Sequence, residues 1–214
     1  MKRSILATVA ALGISCSANA SDAGPLPAPK ADLPTQSEQQ QAVLAAGCFW
    51  CVEAVFEALK GVEKVESGYA GGSKANADYK KVAAGATKHA EAVRVTYDPE
   101  KISYGKLLHV LFSTHDPTQK NRQGPDVGPQ YRSAVFYANQ AEKEIARAYI
   151  DQLEEAGVFD EDIATTLEPL EAFYPAEDYH QDFVKKHPDH GYVRAWALPK
   201  LKKLKKRFPD ALKD

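Results

Sequence analysis

The sequence predicts an α+β fold in which helices cover a sheet and long irregular loops join the elements. Strand and helix patterns follow one another in mixed order, with long irregular segments, or excursions, between them. The longest excursion is a polar stretch over 115–133, and a stretch of that length is usually functional or disordered. Of the 214 residues, 44% are hydrophobic and 26% are charged, which is the composition of an ordinary globular protein.

The first residues have the pattern of a secretory signal peptide over 1–20. Lys2 and Arg3 give a basic start, an apolar run follows over 5–14, and small residues end the segment. We expect cleavage after Ala20 and export to the periplasm. The apolar run is too short to cross a bilayer as a helix, so no membrane span is predicted. Cys16 is removed with this segment; the alternatives are a plain apolar tail and a lipid anchor at Cys16.

Residues 21–40 are rich in Pro, Ala, Ser and Gln and are predicted to form a flexible linker. The remainder, 41–214, has the length of one domain. Without the signal peptide the formal net charge is about −4, so binding to nucleic acid is not expected. The basic run over 200–207 is interpreted as the solvated face of a terminal helix.

The first predicted strand leads directly into a helix. The run 42–46 suits a buried strand and Gly47 ends it, after which apolar residues recur at helical spacing over 52–59. Cys48 therefore lies at a helix N-terminus. Free amide groups and the helix dipole at that position are expected to lower the pKa of its thiol.

Cys48 and Cys51 form a Cys-x-x-Cys pair. A disulfide across so short a loop removes little chain entropy and is a weak structural crosslink. A zinc site would need further cysteines or well-placed histidines, and only His187 and His190 are closely spaced. The pair therefore indicates thiol redox chemistry, and no metal site is predicted.

The next elements introduce a carboxyl group. The glycine-rich segment 68–72 is predicted to be a flexible loop near the site. The segment 90–97 alternates as a strand, with Glu91 on the same face as Val93 and Val95. If that face meets the core, burial raises the pKa of Glu91 and makes it a proton donor. The alternative is an exposed side chain at a frayed strand end.

Further elements complete the predicted sheet and its cover. Ser103 is expected to cap a helix that runs through Leu111, and the polar loop 115–133 is expected to form a binding rim. The remaining predictions are a strand over 134–137, a helix over 141–156, a strand over 163–170 and a helix near 176–186.

Several short motifs, in order along about 43–186 with a weaker tail to about 212, resemble the A-type peptide methionine sulfoxide reductases. This resemblance implies a two-layer sandwich with a mixed sheet. It also implies reduction of the S epimer of methionine sulfoxide, either in oxidised proteins or as the free amino acid. The motifs are Gly47-Cys48-Phe49-Trp50, Gly68-Tyr69-Ala70-Gly71-Gly72, His89-Ala90-Glu91, Tyr97-Asp98-Pro99, His115-Asp116-Pro117-Thr118-Gln119, Gly128-Pro129-Gln130-Tyr131-Arg132-Ser133 and Phe173-Tyr174-Pro175-Ala176-Glu177.

The resemblance implies a role for each matching residue. Cys48 is the nucleophile, and Glu91 gives a proton to the sulfoxide oxygen. The implied substrate-binding residues are Phe49 and Trp50 for the methyl group, and Tyr79, Asp126 and Tyr131 for the sulfoxide oxygen or a water near it.

The chain departs from the commonest pattern of the family at Cys51, where many members have Gly and keep recycling cysteines in a C-terminal tail. This tail has no cysteine. Resemblance to a Cys-Phe-Trp-Cys subgroup implies that Cys51 resolves the oxidised Cys48 as a disulfide, which an external thioredoxin-like dithiol reduces. No bound cofactor is implied, and nothing demands more than a monomer. Lys88 and Ser113 also differ from the residues that the family usually has at these positions. These differences are expected to affect substrate affinity rather than the chemistry.

Two other functions compete with this interpretation. A thioredoxin-like protein disulfide oxidoreductase would explain the cysteine pair, but not Glu91 or the loop around Tyr131. An exported binding module with a structural disulfide would show no thiol turnover. Reduction of insulin, compared with reduction of methionine sulfoxide, separates the first alternative from the reductase.

Overall fold

The structure is a computed structural model and describes residues 25–213. The predicted signal peptide lies outside the described residues. Eight strands are described: β1 Gln40–Ala46, β2 Val62–Ala70, β3 Ala90–Tyr97, β4 Arg122–Gln123, β5 Asp126–Val127, β6 Ser133–Tyr137, β7 Thr166–Pro169 and β8 Phe173–Pro175. The α-helices are α1 Phe49–Glu57, α2 Tyr79–Ala83, α3 Tyr104–Thr114, α4 Gln140–Glu155, α5 Phe183–Lys186 and α6 Leu198–Arg207.

The main sheet has the order β7-β6-β1-β3-β2-β8. Strands β6 and β7 pair in parallel and the other neighbours are antiparallel, so the sheet is mixed. One face carries large apolar residues that pack with α1, α3, α4 and α6 in the main core. The other face carries mostly small residues, such as Ala45 and Ala92, in a smaller cluster. The predicted α+β architecture is therefore confirmed.

Local sequence patterns explain the central elements. The strands predicted over 42–46, 90–97 and 134–137 are β1, β3 and β6, all in the interior of the sheet. Helix α3 begins as expected after Ser103, whose side chain accepts a hydrogen bond from the amide of Lys106. Helix α4 begins after Asn139, which caps it in the same way.

Two predicted boundaries were wrong. Residues 68–70, expected in a loop, belong to β2 and pair with both β3 and β8. A Cβ atom at Gly68 would lie 2.4 Å from the carbonyl oxygen of Tyr174, so this glycine serves the close approach of β8 rather than a turn. The helix expected over 176–186 is broken at Gln181, whose side chain hydrogen-bonds to the backbone of Ser67 and Ala176.

The segment 25–39, which falls in the predicted linker, has no helix or strand but lies against the domain. Leu26 is only 6% exposed. The hydroxyl of Tyr149 donates to the carbonyl of Pro27 at 2.9 Å, and Asp32 accepts from the amide of Gly105 at 2.8 Å. This part of the segment is therefore fixed by hydrogen bonds to α3 and α4. No helix within residues 25–213 is both long and apolar enough to cross a membrane.

Candidate active site

Gly47 sets the direction in which the chain enters the first helix. Its φ is +89°, and a Cβ atom there would lie 2.5 Å from the Cβ atom of Gln123. Only glycine accepts both constraints without strain. The turn places Cys48 at the N-cap of α1. The carbonyl of Cys48 accepts the amide of Cys51 at 3.1 Å, so both thiols lie on the first helical turn.

Glu91 brings a carboxyl group from β3 to the same helix end. Its Oε2 atom accepts a hydrogen bond from the amide of Phe49, the first residue of α1, at 3.0 Å. The side chain is 2% exposed, so the alternative of a frayed, exposed strand end was wrong. Burial raises the pKa of Glu91 to about 8, against the opposing effect of the Phe49 hydrogen bond. Glu91 therefore carries a proton at neutral pH.

The pKa of Cys48 is opposite to the sequence prediction. Both cysteines are reduced and buried. Burial raises the pKa of Cys48 well above its ordinary value, and the hydrogen bond with Cys51 and the carboxyl of Glu91 raise it further. The expected lowering fails because the effect of burying the thiol outweighs that of the helix end.

Cys51 shows the reverse shift. The side-chain hydrogen bond with Cys48 lowers the pKa of Cys51, burial opposes this, and the charge of Lys200 lowers it further. The resting site therefore holds protons on Glu91 and on Cys48, while Cys51 is the thiol that ionises more readily.

Three predicted polar residues surround Glu91 from three separate elements. Tyr79 opens α2, Asp126 lies in β5, and Tyr131 ends a short 3-10 turn over Pro129–Tyr131. Burial raises the pKa of both tyrosines, and the proximity of Glu91 adds to the effect. Both phenols therefore keep their protons at neutral pH and can donate hydrogen bonds. The structure brings all three residues to the cysteine site.

The two predicted aromatic residues take different positions. Phe49 is 1% exposed and lies between the rings of Tyr69 and His180, with centroids 6.0 and 5.0 Å away. Trp50 is half-buried, and its ring stacks on Phe183 at 3.7 Å with planes 6° apart. Trp50 Nε1 also donates to Nδ1 of His180 at 3.1 Å. Trp50 is thus held in one orientation while part of its side chain stays exposed to solvent.

Tyr192 belongs to the site and was missed at the sequence level. Its hydroxyl donates to Asp126 at 2.5 Å and also hydrogen-bonds with the thiol of Cys48. Its ring meets Trp50 edge-on at 5.9 Å. Residue 192 lies far in sequence from Cys48, Cys51 and Glu91 and in no recognisable pattern, so no local signal could have identified it.

His180 also lies at the site. It is 1% exposed, and its Nδ1 atom accepts the hydrogen bond from the ring N–H of Trp50. His187 and His190 lie beside the rings of Phe183 and Trp50 rather than joining the cysteines. Within residues 25–213 no three His, Cys, Asp or Glu side chains come together as metal ligands.

This arrangement defines a thiol-dependent oxidoreductase: a buried cysteine, a protonated carboxyl beside it and a second thiol one helical turn away. The family model for peptide methionine sulfoxide reductase matches residues 40–212. The chain belongs to that family, in its A type, and is a peptide methionine sulfoxide reductase.

Named relatives and solved structures agree with this assignment. Peptide methionine sulfoxide reductase MsrA 2 of Synechocystis sp. is 54% identical over 175 residues, covering 81% of this chain and 82% of the relative. MsrA of Deinococcus radiodurans is also 54% identical, with coverage of 82% and 85%. The reduced form of Mxr1 from Saccharomyces cerevisiae superposes with a TM-score of 0.66 at 36% identity, covering 75% of this chain and 92% of the other. Methionine sulfoxide reductase A of Corynebacterium diphtheriae gives a TM-score of 0.62 at 34% identity, with coverage of 77% and 86%.

Proposed function

We propose that this enzyme reduces the S epimer of methionine sulfoxide, in oxidised proteins and as the free amino acid. In this proposal Cys48 is the nucleophile, Glu91 the proton donor and Cys51 the resolving thiol. The observation that carries it is the buried carboxyl of Glu91, held against the Phe49 amide next to Cys48 and protonated at neutral pH.

The first step transfers the oxygen. A sulfoxide oxygen leaves poorly until it is protonated, and the Glu91 carboxyl supplies that proton. The sulfur of Cys48 attacks the substrate sulfur, and the thiol proton of Cys48 returns to the Glu91 carboxylate. In net, the oxygen passes to Cys48, which becomes a sulfenic acid, and methionine leaves as a thioether. The protonated resting state of both groups supports this route, because no thiolate has to exist before the substrate binds.

The second step forms a disulfide between Cys51 and Cys48. The thiolate of Cys51 attacks the sulfur of the Cys48 sulfenic acid, the sulfur–oxygen bond breaks, and the oxygen leaves with a proton as water. A thioredoxin-like dithiol then reduces this disulfide by thiol–disulfide exchange and is itself oxidised to a disulfide. The first helical turn that carries both cysteines supports this assignment.

The surrounding residues supply recognition in this proposal. The phenols of Tyr79 and Tyr131 donate hydrogen bonds to the sulfoxide oxygen. Asp126, which accepts a hydrogen bond from Tyr192, helps to orient this oxygen. Trp50 offers an apolar surface to the methyl group, with Phe49 beneath it. The phenols that bind the sulfoxide oxygen and the ring that binds the methyl group are held by different elements of the fold. Only one epimer can therefore place its oxygen and its methyl group correctly while its sulfur faces Cys48.

We also propose that the enzyme acts in the periplasm as a monomer. The pattern over 1–20 supports export with cleavage after Ala20. Its thioredoxin-like reductant would then have to be supplied with electrons across the membrane.

Turnover of each epimer with a dithiol reductant tests the proposal. We expect the S epimer alone to yield methionine, and Cys48→Ser to abolish the reaction. Turnover of both epimers at equal rates would overturn the specificity, and an active Cys48→Ser variant would overturn the mechanism. Reduction of insulin should be slow compared with reduction of methionine sulfoxide, and a faster reduction of insulin would favour a protein disulfide oxidoreductase.

A further inference from the structure

Cys51 faces the C-terminal helix across a small cavity. Helix α6 packs against α1 and α3. The cavity between them is lined by Cys51 from α1, Thr114 and His115 from the end of α3, and Lys200 from α6. The rest of its lining is mainly apolar. The cation of Lys200 and the thiol of Cys51 thus share a mainly apolar cavity, in which charge interactions are stronger than in water.

Lys200 differs from its neighbours on α6. It lines the cavity with Cys51, whereas Lys203, which is also partly buried, does not, and Lys202, Lys205 and Lys206 are exposed. None of the ion pairs found among residues 25–213 includes Lys200. Its charge is therefore not cancelled by a contacting carboxylate, and it lines the same cavity as Cys51.

Other groups also act on Cys51. The titratable or charged side chains that face it from the packed elements are Cys48, Glu91, His115, Asp126, Tyr192 and Lys200. His115 is neutral at neutral pH, because burial lowers its pKa to about 4. Tyr192 is neutral as well, because burial raises its pKa far above the ordinary range. Among the six, Lys200 is therefore the positive group.

We propose that Lys200 is the positioning residue of the recycling step, whose ammonium group favours Cys51 as the thiolate that attacks the oxidised Cys48. This inference rests on the proposed role of Cys51 as the resolving thiol. The step forms the sulfur–sulfur bond, breaks the sulfur–oxygen bond of the Cys48 sulfenic acid and releases water. Lys200 neither gains nor loses a bond; it stabilises the negative charge that Cys51 carries before the attack.

The oxygen-transfer step does not depend on Lys200 in this account. Besides burial, the groups that act on the pKa of Cys48 are Cys51, Glu91 and Tyr192. Lys200 shares with Cys51 a cavity that neither Cys48 nor Glu91 lines. Removal of its charge should therefore slow disulfide formation while methionine is released at the usual rate.

A single-turnover experiment separates the two steps. The reduced full chain is mixed with methionine sulfoxide without reductant and quenched at intervals over a range of pH. Methionine is counted by chromatography, and the disulfide by mass spectrometry after free thiols are blocked. The variants are Lys200→Met, which keeps the aliphatic stem, Lys200→Arg, which keeps the charge, and Lys202→Met as an exposed control on the same helix.

We expect Lys200→Met to release methionine like the wild type, but to form the disulfide roughly tenfold more slowly at neutral pH, with the midpoint of its pH dependence displaced upward. Lys200→Arg should restore the wild-type pH dependence, and Lys202→Met should not change it. A merely structural role would slow both steps without moving the midpoint. An unchanged pH dependence in Lys200→Met overturns the inference, while a wild type that releases methionine but forms no disulfide overturns the assignment of Cys51 itself.

Discussion

The carboxyl of Glu91 accepts the hydrogen bond of the Phe49 amide at 3.0 Å. This contact fixes the carboxyl beside Cys48, the N-cap residue of the same helix. Burial raises the pKa of both Glu91 and Cys48, so both groups rest with their protons. The Glu91 carboxyl and the Cys48 thiol therefore carry the protons that the oxygen transfer requires before the sulfoxide binds.

Replacement of Glu91 by Gln tests the acid directly. The amide keeps the shape of the side chain but cannot give up a proton at neutral pH, so kcat should fall by roughly 10²–10⁴-fold. Steady-state kinetics with methionine sulfoxide measures the loss, with Glu63→Gln, an exposed carboxyl, as control. Wild-type turnover by Glu91→Gln would remove the carboxyl from the mechanism.

Replacement of Cys51 by Ser separates oxygen transfer from recycling. Each chain should release about one methionine and stop at the sulfenic acid, because no second thiol lies on the first turn of α1. Mass spectrometry of the quenched enzyme should then show one added oxygen on Cys48 and no disulfide. Normal recycling of this variant by thioredoxin would show that Cys51 is not required.

His180 should act on substrate affinity through Trp50. Its Nδ1 atom accepts the Trp50 ring N–H at 3.1 Å, and the His180→Ala variant leaves that donor without a partner. We expect a raised KM with a smaller change in kcat, and a loss of roughly 1–3 kcal/mol in the free energy of unfolding.

Kinetics and denaturant unfolding of His180→Ala and the wild type measure both quantities. An unchanged KM in His180→Ala would mean that the orientation of Trp50 does not depend on this hydrogen bond.

Gly47→Ala should destabilise the fold more than an ordinary glycine replacement. Its φ of +89° and the 2.5 Å approach to Gln123 act together, so a loss of roughly 1–3 kcal/mol in the free energy of unfolding is expected. Gly157→Ala is the matched control, since φ there is +58° with no atom within 4 Å of the added Cβ. Equal losses in the two variants would mean that the contact with Gln123 costs nothing.

His115 should make stability depend on pH in the acid range. Burial lowers its pKa from 6.5 to about 4, while its ring hydrogen-bonds with Leu111 and Ser133. The unfolded chain therefore binds the proton first as pH falls below about 6.5, and stability is lost down to about pH 4.

The loss attributable to His115 should reach roughly 3 kcal/mol. Denaturant unfolding from neutral pH to pH 4, with His115→Gln as the comparison, measures it. A wild type and a variant with parallel pH profiles would contradict the prediction.

Sequence patterns predicted the parts of the fold that depend on short-range order. The alternation over 90–97 identified β3, and Glu91 entered the core because it shares a face with Val93 and Val95. Gly47 marked the end of β1 correctly. In each case one residue's neighbours along the chain determine its surroundings, so a local pattern is sufficient.

The remaining site residues depend on how distant segments pack. Tyr192 and Lys200 reach the cysteines because the C-terminal part of the chain crosses α1, and no short pattern encodes that path. The pKa of Cys48 was predicted with the wrong sign for a related reason. The helix end was identified, but the burial that raises the pKa of Cys48 depends on distant segments that pack around the thiol.

The protonation state of Glu91 is the central claim, and infrared titration of its carboxyl measures it most directly. The reduced enzyme is compared with Glu91→Gln over pH, so that the difference spectrum isolates one carboxyl group. The account predicts a protonated carboxyl at neutral pH that ionises near pH 8. Ionisation near the ordinary value of 4.5 would contradict it.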